Sequence, residues 1–164
     1  MVPTLPSPKV FVIHGHDGPA KRKVVQFLEA HHFEAVVLNR RAGGSRTLIE
    51  KIEAADAGFA VVLLTGDDEG RARPKSGARR LRLKPRARQN VLFEWGFFIA
   101  RLGRHRVRAL YDRDVEMPSD LAGVDVTPLD ARGAWREGLE RELASMRAAH
   151  DTPPPAERGR HRRS

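Results

Sequence analysis

Apolar residues along this chain fall into two alternating rhythms. Short runs of four to seven apolar, mostly β-branched residues recur at 9–13 (KVFVI), 35–38, 59–65 (FAVVLLT), 107–111 and 124–129, each short enough for a strand. Between them lie stretches with apolar residues three and four apart, the spacing of a helix with one buried face. The first runs from Ala20 to about residue 31 through Val24, Val25, Phe27 and Leu28, with Pro19 suited to its first turn and Asp17 or Gly18 at its cap. The second covers about 46–55, capped by Ser45, with Leu48, Ile49 and Ile52 inward. The third, 90–102 (NVLFEWGFFIARL), is capped by Asn90 and ended by Gly103, and it is apolar around most of its circumference, which predicts burial. The last runs 133–149 through Trp135, Leu139, Leu143 and Met146. Strand and helix in regular alternation predict an α/β fold with a parallel sheet and helices on both faces. The run 59–65 is the most apolar and is the expected central strand.

Composition narrows the class. The chain has 164 residues, 40% hydrophobic and 31% charged, enough for one domain with a core. No apolar run reaches the roughly 18 residues of a membrane helix, and residues 1–8 lack the pattern of a signal peptide. With no cysteine, disulfides, thiolate metal sites and cysteine nucleophiles are excluded, in keeping with a cytoplasmic protein. Residues 1–8 read as a loose lead-in, 9–149 as the domain, and 150–164, with three consecutive prolines and a basic end, as a disordered tail.

The net charge of +9 suggests nucleic acid until it is located. Nine basic residues and no acid fall between Arg71 and Arg88, and the remaining chain is balanced at 21 against 21. No aromatic residue interleaves that segment, which argues against stacking on single strands and makes a nucleic-acid partner unexpected. Pro74, Gly77 and Pro85 predict that it holds no regular structure.

In a parallel α/β sheet, ligands sit beyond the carboxyl ends of the strands where strand order reverses. The residues to weigh are therefore 14–18, 39–46, 67–69 and 90–95. His14-Gly15-His16-Asp17 has no metal-ligand spacing, so no metal is expected, but its glycines let a ligand approach the backbone. Gly43-Gly44-Ser45-Arg46 precedes a helix and suits a phosphate, without the Gly-Lys-Ser/Thr of a Walker loop. Asp67-Asp68-Glu69 lacks the companion acidic pair and lysine of a phosphorylated receiver domain, and its acids are expected to cap or to pair with the basic segment. Glu94 is a carboxylate among Phe93, Trp95, Phe97 and Phe98; such a group is costly unless paired or used, and Arg88 is one available partner.

Taken together, KVFVIHGHD, SRTLIEKIE, FAVVLLTGDDEG, KPRARQNVLFEWGFFIARLGR and RVRALYDRDVEMPSDLAGVDVTPLD resemble the bacterial TIR-like nucleotide-binding family, over residues 9–146. Members serve as effectors in cyclic-oligonucleotide antiphage systems of the CBASS and Pycsar type, TIR–STING fusions included. The resemblance implies a TIR (flavodoxin-like) three-layer fold on a five-stranded parallel sheet, and NAD⁺ nucleosidase activity with NAD⁺ as substrate rather than cofactor. It puts the catalytic glutamate on Glu94 and makes 39–46 the loop that shapes the nicotinamide pocket and contacts a neighbouring subunit, hence a homo-oligomer on activation. His14, Gly15, His16, Arg46, Asp67 and Trp95 are the residues expected to line the site; Trp95 stands where the family commonly has an aliphatic residue. No fused sensor domain is recognisable in the sequence, so a cyclic-nucleotide-linked activator is expected to act from elsewhere or on the domain itself. The alternatives are a TIR scaffold without catalysis and a nucleotide- or nucleic-acid-binding module built on residues 71–88.

Overall fold

A computed structural model describes residues 8–37, 49–50, 52, 57–73, 82–121 and 123–151. The chain runs β1 (Lys9–Ile13), α1 (Gly18–Ala30), β2 (Glu34–Val37), β3 (Phe59–Leu64), β4 (Asp68–Gly70), β5 (Lys84–Arg86), α2 (Gln89–Leu102), a 3₁₀ turn (Arg104–Arg106), β6 (Val107–Tyr111), β7 (Val126–Pro128) and α3 (Trp135–Asp151). Five strands form one parallel sheet in the order β2-β1-β3-β6-β7, and β4 and β5 form a separate antiparallel ribbon. This is the flavodoxin-like order, with its reversal between β1 and β3.

The two-residue period of the strands sorts the core into two layers. Val10 and Val12 of β1, Phe59, Val61 and Leu63 of β3 and Leu110 of β6 pack with Val24, Phe27 and Leu28 of α1 and Trp135, Leu139 and Leu143 of α3. The alternate residues, Phe11 and Ile13, Ala60, Val62 and Leu64, and Val107 and Ala109, face Val91, Trp95 and Phe98 of α2, together with Ile52 and Ala57. Every residue of β3 is buried, as expected for a central strand covered on both sides. Arg108, on the α3 side of β6, is tied down by Glu142 of α3 and donates to Thr127 Oγ1 of β7 at 3.0 Å. Burial is the main cause lowering its pKa, opposed by Asp125.

Helix ends follow local chemistry. Asp17 caps α1, its carboxylate accepting from Ala20 N at 2.9 Å, with proline in the first turn. Gly103 ends α2 at φ +82°, a backbone state that side chains disfavour.

Four expectations need correction. The N-cap of α2 is Arg88 rather than Asn90, and no side chain caps it. Residues 84–86 of the basic segment form a strand despite Pro85, because β5 is one of only two strands in its ribbon and need not donate on both edges. Ile49 is exposed, whereas Ile52 is buried. Helix α2 is buried on one stripe only. Val91, Glu94, Trp95 and Phe98, at the i, i+3, i+4, i+7 spacing, face the core, and Phe93 is 65% exposed. The lead-in, the tail beyond residue 151, most of the second expected helix and residues 74–81 lie outside the described residues.

The unequal faces of α2 give a stability test. Phe98→Ala should cost about 3–5 kcal/mol, the usual loss for a buried phenylalanine, while Phe93→Ala should stay within about 0.5 kcal/mol, as for exposed positions. Urea denaturation of both variants checks the assignment; equal losses would contradict the placement of α2.

Candidate active site

The loops that follow β1 and β3 meet at the reversal of strand order. Gly15 lies directly against the Asp67 side chain. A Cβ at Gly15 would fall 2.8 Å from Asp67 Cγ and closer still to Oδ2, so any larger residue would drive the loops apart. Asp67 is held in turn by the buried Thr65, whose hydroxyl donates to Oδ2 at 2.6 Å. His14 is half-buried, and its Nδ1 lies 2.7 Å from the Gly15 carbonyl. His16 is exposed beyond it.

The start of α2 is joined to both loops through Arg88. Its Nη1 lies 2.7–2.9 Å from the ring nitrogens of His16, and its Nε lies 3.9 Å from Asp68. Glu94 lies six residues on, about 9 Å along the helix axis. It is 3% exposed and shares the sheet-facing stripe with apolar neighbours. Trp95 is 4% exposed and belongs to the core layer between α2 and the sheet, and its indole Nε1 has no hydrogen-bond partner among the described residues. The structure thus gathers His14, Gly15, His16 and Asp67 around the ends of β1 and β3, with α2 beginning beside them. Arg46 and the loop 39–46 lie outside the described residues.

Two further acids join this edge. Asp112 follows β6 and approaches the same strand ends. Burial pushes its carboxyl above the usual range and the nearby Asp17 and Asp67 carboxylates push it further, while a backbone hydrogen bond from Gly66 and the Lys23 ammonium oppose them. The sequence held a signal for it, a carboxylate immediately after a parallel strand. Glu116 had none. It accepts from Arg86 Nε at 2.5 Å and faces Lys84 at 3.4 Å, and its backbone N donates to the Pro85 carbonyl at 2.8 Å. The hydrogen bond from Arg86 is the main cause holding the Glu116 carboxyl below its usual range. Pro85 also packs on Gly66, so the ribbon is fastened over the loop after β3. Lys84 and Arg86, at the end of the basic segment, thereby face Glu116 rather than solvent alone, and of the acids 67–69 expected to cap or pair with that segment, Asp68 approaches Arg88 at 3.9 Å. Among the described residues, no three histidine or acidic side chains are grouped so as to hold a metal ion, and no helix is long and apolar enough to cross a membrane.

The sheet order, the helices on both faces and the loop cluster at the reversal define a flavodoxin-like α/β domain of TIR type. Residues 9–131 match the family described as CAP12/Pycsar effector protein, TIR domain, and the chain belongs to that family. It is 47% identical over 140 residues to the uncharacterized protein YuaY of Escherichia coli K12, covering 84% of this chain and 45% of YuaY. It is 35% identical over 127 residues to the Pycsar effector protein BcPycTIR of Burkholderia cepacia, covering 73% of this chain and 39% of that protein. With CD-NTase-associated protein 12 of Sphingobacterium faecium the identity is 28% over 114 residues, 70% of this chain and 32% of the relative. The chain therefore spans less than half the length of each of these three relatives.

The position of Asp112 sets a pH dependence. The folded state binds this proton more tightly than the unfolded chain does. Ionised Asp112 therefore weakens folding at neutral pH, and the penalty fades as pH falls through its raised folded pKa. Asp112→Asn should raise the Tm at neutral pH and lose that advantage in acid. A Tm lowered at every pH would contradict the crowding of carboxylates described here.

Proposed function

We propose that the protein is an NAD⁺ nucleosidase that cleaves the nicotinamide–ribose bond, with Glu94 as the catalytic residue. The observation that carries this reading is a carboxylate only 3% exposed, on the core-facing stripe of a helix that starts beside the strand reversal. A carboxylate fixed in an apolar setting at that place can act on positive charge developing in a ligand.

The chemistry asks little more of the protein. When the bond between the ribosyl carbon and the pyridinium nitrogen breaks, its electron pair stays on nitrogen and nicotinamide leaves neutral. No general acid is needed, unlike the paired carboxylates of glycoside hydrolysis. Positive charge develops on the ribosyl centre, and a fixed carboxylate in an apolar setting stabilises it. Water adds to that centre and releases one proton, giving ADP-ribose. His14, Gly15, His16 and Asp67 would line the dinucleotide, and Trp95 would form the apolar wall behind Glu94. Arg46 is assigned to the same site from the sequence alone.

The names of the relatives, Pycsar effector and CD-NTase-associated protein, support an effector role in antiphage defence switched on by a cyclic-nucleotide-linked signal. The reading includes assembly of copies on activation. The alternative of a nucleic-acid module is disfavoured, because Lys84 and Arg86 of the basic segment are already paired with Glu116 of the same chain.

Two measurements test the proposal. Glu94→Gln keeps size and packing and removes the charge. It should lower NAD⁺ turnover by at least roughly 10²-fold, the scale of one lost electrostatic stabiliser, with the circular-dichroism spectrum unchanged. Turnover at the wild-type rate would overturn the assignment. Specific activity should also rise with protein concentration, followed as free nicotinamide released. Constant specific activity from a species that stays monomeric would contradict the assembly step.

A further inference from the structure

Arg88 and His16 are 72 positions apart in sequence and meet over the strand reversal. Both side chains are accessible, with 30% of the Arg88 side chain exposed. The contact contains no acid. Arg88 Nη1 lies 2.9 Å from His16 Nδ1 and 2.7 Å from Nε2, so the guanidinium and the imidazole crowd one spot. The nearest acid, Asp68, lies 3.9 Å from Nε, beyond hydrogen-bond length, and its side chain is 45% exposed. The arrangement is a guanidinium fork and an imidazole turned to the same opening, with a loosely held carboxylate as counter-ion. Its complement is an acceptor-only anion with more than one oxygen, and a phosphate or diphosphate group meets that description.

We infer that Arg88 and His16 seat the diphosphate of the dinucleotide, with Asp68 holding Arg88 in place until substrate displaces it. The inference rests on the proposed NAD⁺ cleavage for the identity of the ligand. Helical side chains lean toward the N-terminus of their helix, so Glu94 leans toward the end that carries Arg88. Arg88 and His16 act as binding and positioning residues, and Glu94 alone faces the reacting carbon.

The competing explanation is that the Arg88–Asp68 pair only braces the ribbon, and the two accounts predict opposite signs for one variant. If Arg88 seats a diphosphate, Asp68→Asn removes a competitor and should tighten binding of inorganic pyrophosphate several-fold. If the pair is a brace, Asp68→Asn should weaken binding in the same direction as Arg88→Gln. Calorimetry on the full chain should show Arg88→Gln weakening pyrophosphate binding by about tenfold or more, the scale of a lost hydrogen bond to a charged group, with His16→Gln acting in the same direction. The KM for NAD⁺ should follow the same order, and the KM for nicotinamide riboside, which has no diphosphate, should not. Pyrophosphate binding indifferent to Arg88→Gln, or loosened by Asp68→Asn, overturns the inference. Asp68→Asn carries the test alone if Arg88→Gln does not fold. Ordered pyrophosphate binding without NAD⁺ cleavage would leave the anion seat standing and remove the glycohydrolase. NAD⁺ cleavage insensitive to these variants would do the reverse.

Discussion

Burial of β1 and β3 on both faces is the constraint from which the rest of the structure follows. Their residues alternate between two apolar layers, so helices must cover the sheet on each side. A chain that covers both sides must reverse its strand order, and the reversal falls between these two strands. The loops leaving β1 and β3 therefore start side by side. Gly15 lets them close to contact, with the Asp67 side chain filling the space a Cβ would take. The helix that brings Glu94 is placed by the same constraint, because Val91, Trp95 and Phe98 must face the sheet. Glu94 falls on their stripe and is buried with them.

Charge at this edge is arranged in opposing groups. Asp17 and Asp67 lie near Asp112 at the strand ends, and burial first, then these neighbouring carboxylates, raise the pKa of Asp112. Beside them, Lys84, Arg86 and Arg88 enter on the ribbon and at the start of α2, held by Glu116 and Asp68. The ribbon thus brings cations to an edge that would otherwise be predominantly acidic. An anionic substrate with a developing positive charge at one carbon needs both kinds of group within one cleft, cations for its phosphates and a carboxylate for its ribosyl centre.

Much of this was legible in the sequence, because the five strand runs and the helical stripes are set by burial, which leaves a periodic trace. The Asp17 cap and the Gly103 stop were readable for the same local reason. Other features leave no such trace. Pairing of β4 with β5 depends on three residues at each end of a long basic insertion, and Glu116 reaches Arg86 across 30 positions. The exposure of Phe93 departs from the burial expected of so apolar a helix, although the helical period separates 93 from 91, 94, 95 and 98. Asp112 carries only its place after a strand as a signal, since no motif surrounds it.

The central claim is that Glu94 faces the ribosyl carbon of a bound pyridine dinucleotide. A crystal structure of the Glu94→Gln protein soaked with intact NAD⁺ tests it most directly. The account predicts the nicotinamide ribose packed against residue 94, with its anomeric carbon in contact with the side-chain amide and the rest of the molecule extending over the ends of β1 and β3. NAD⁺ bound with its nicotinamide ribose away from residue 94, or Glu94 sealed off from the bound dinucleotide by the core, would contradict it.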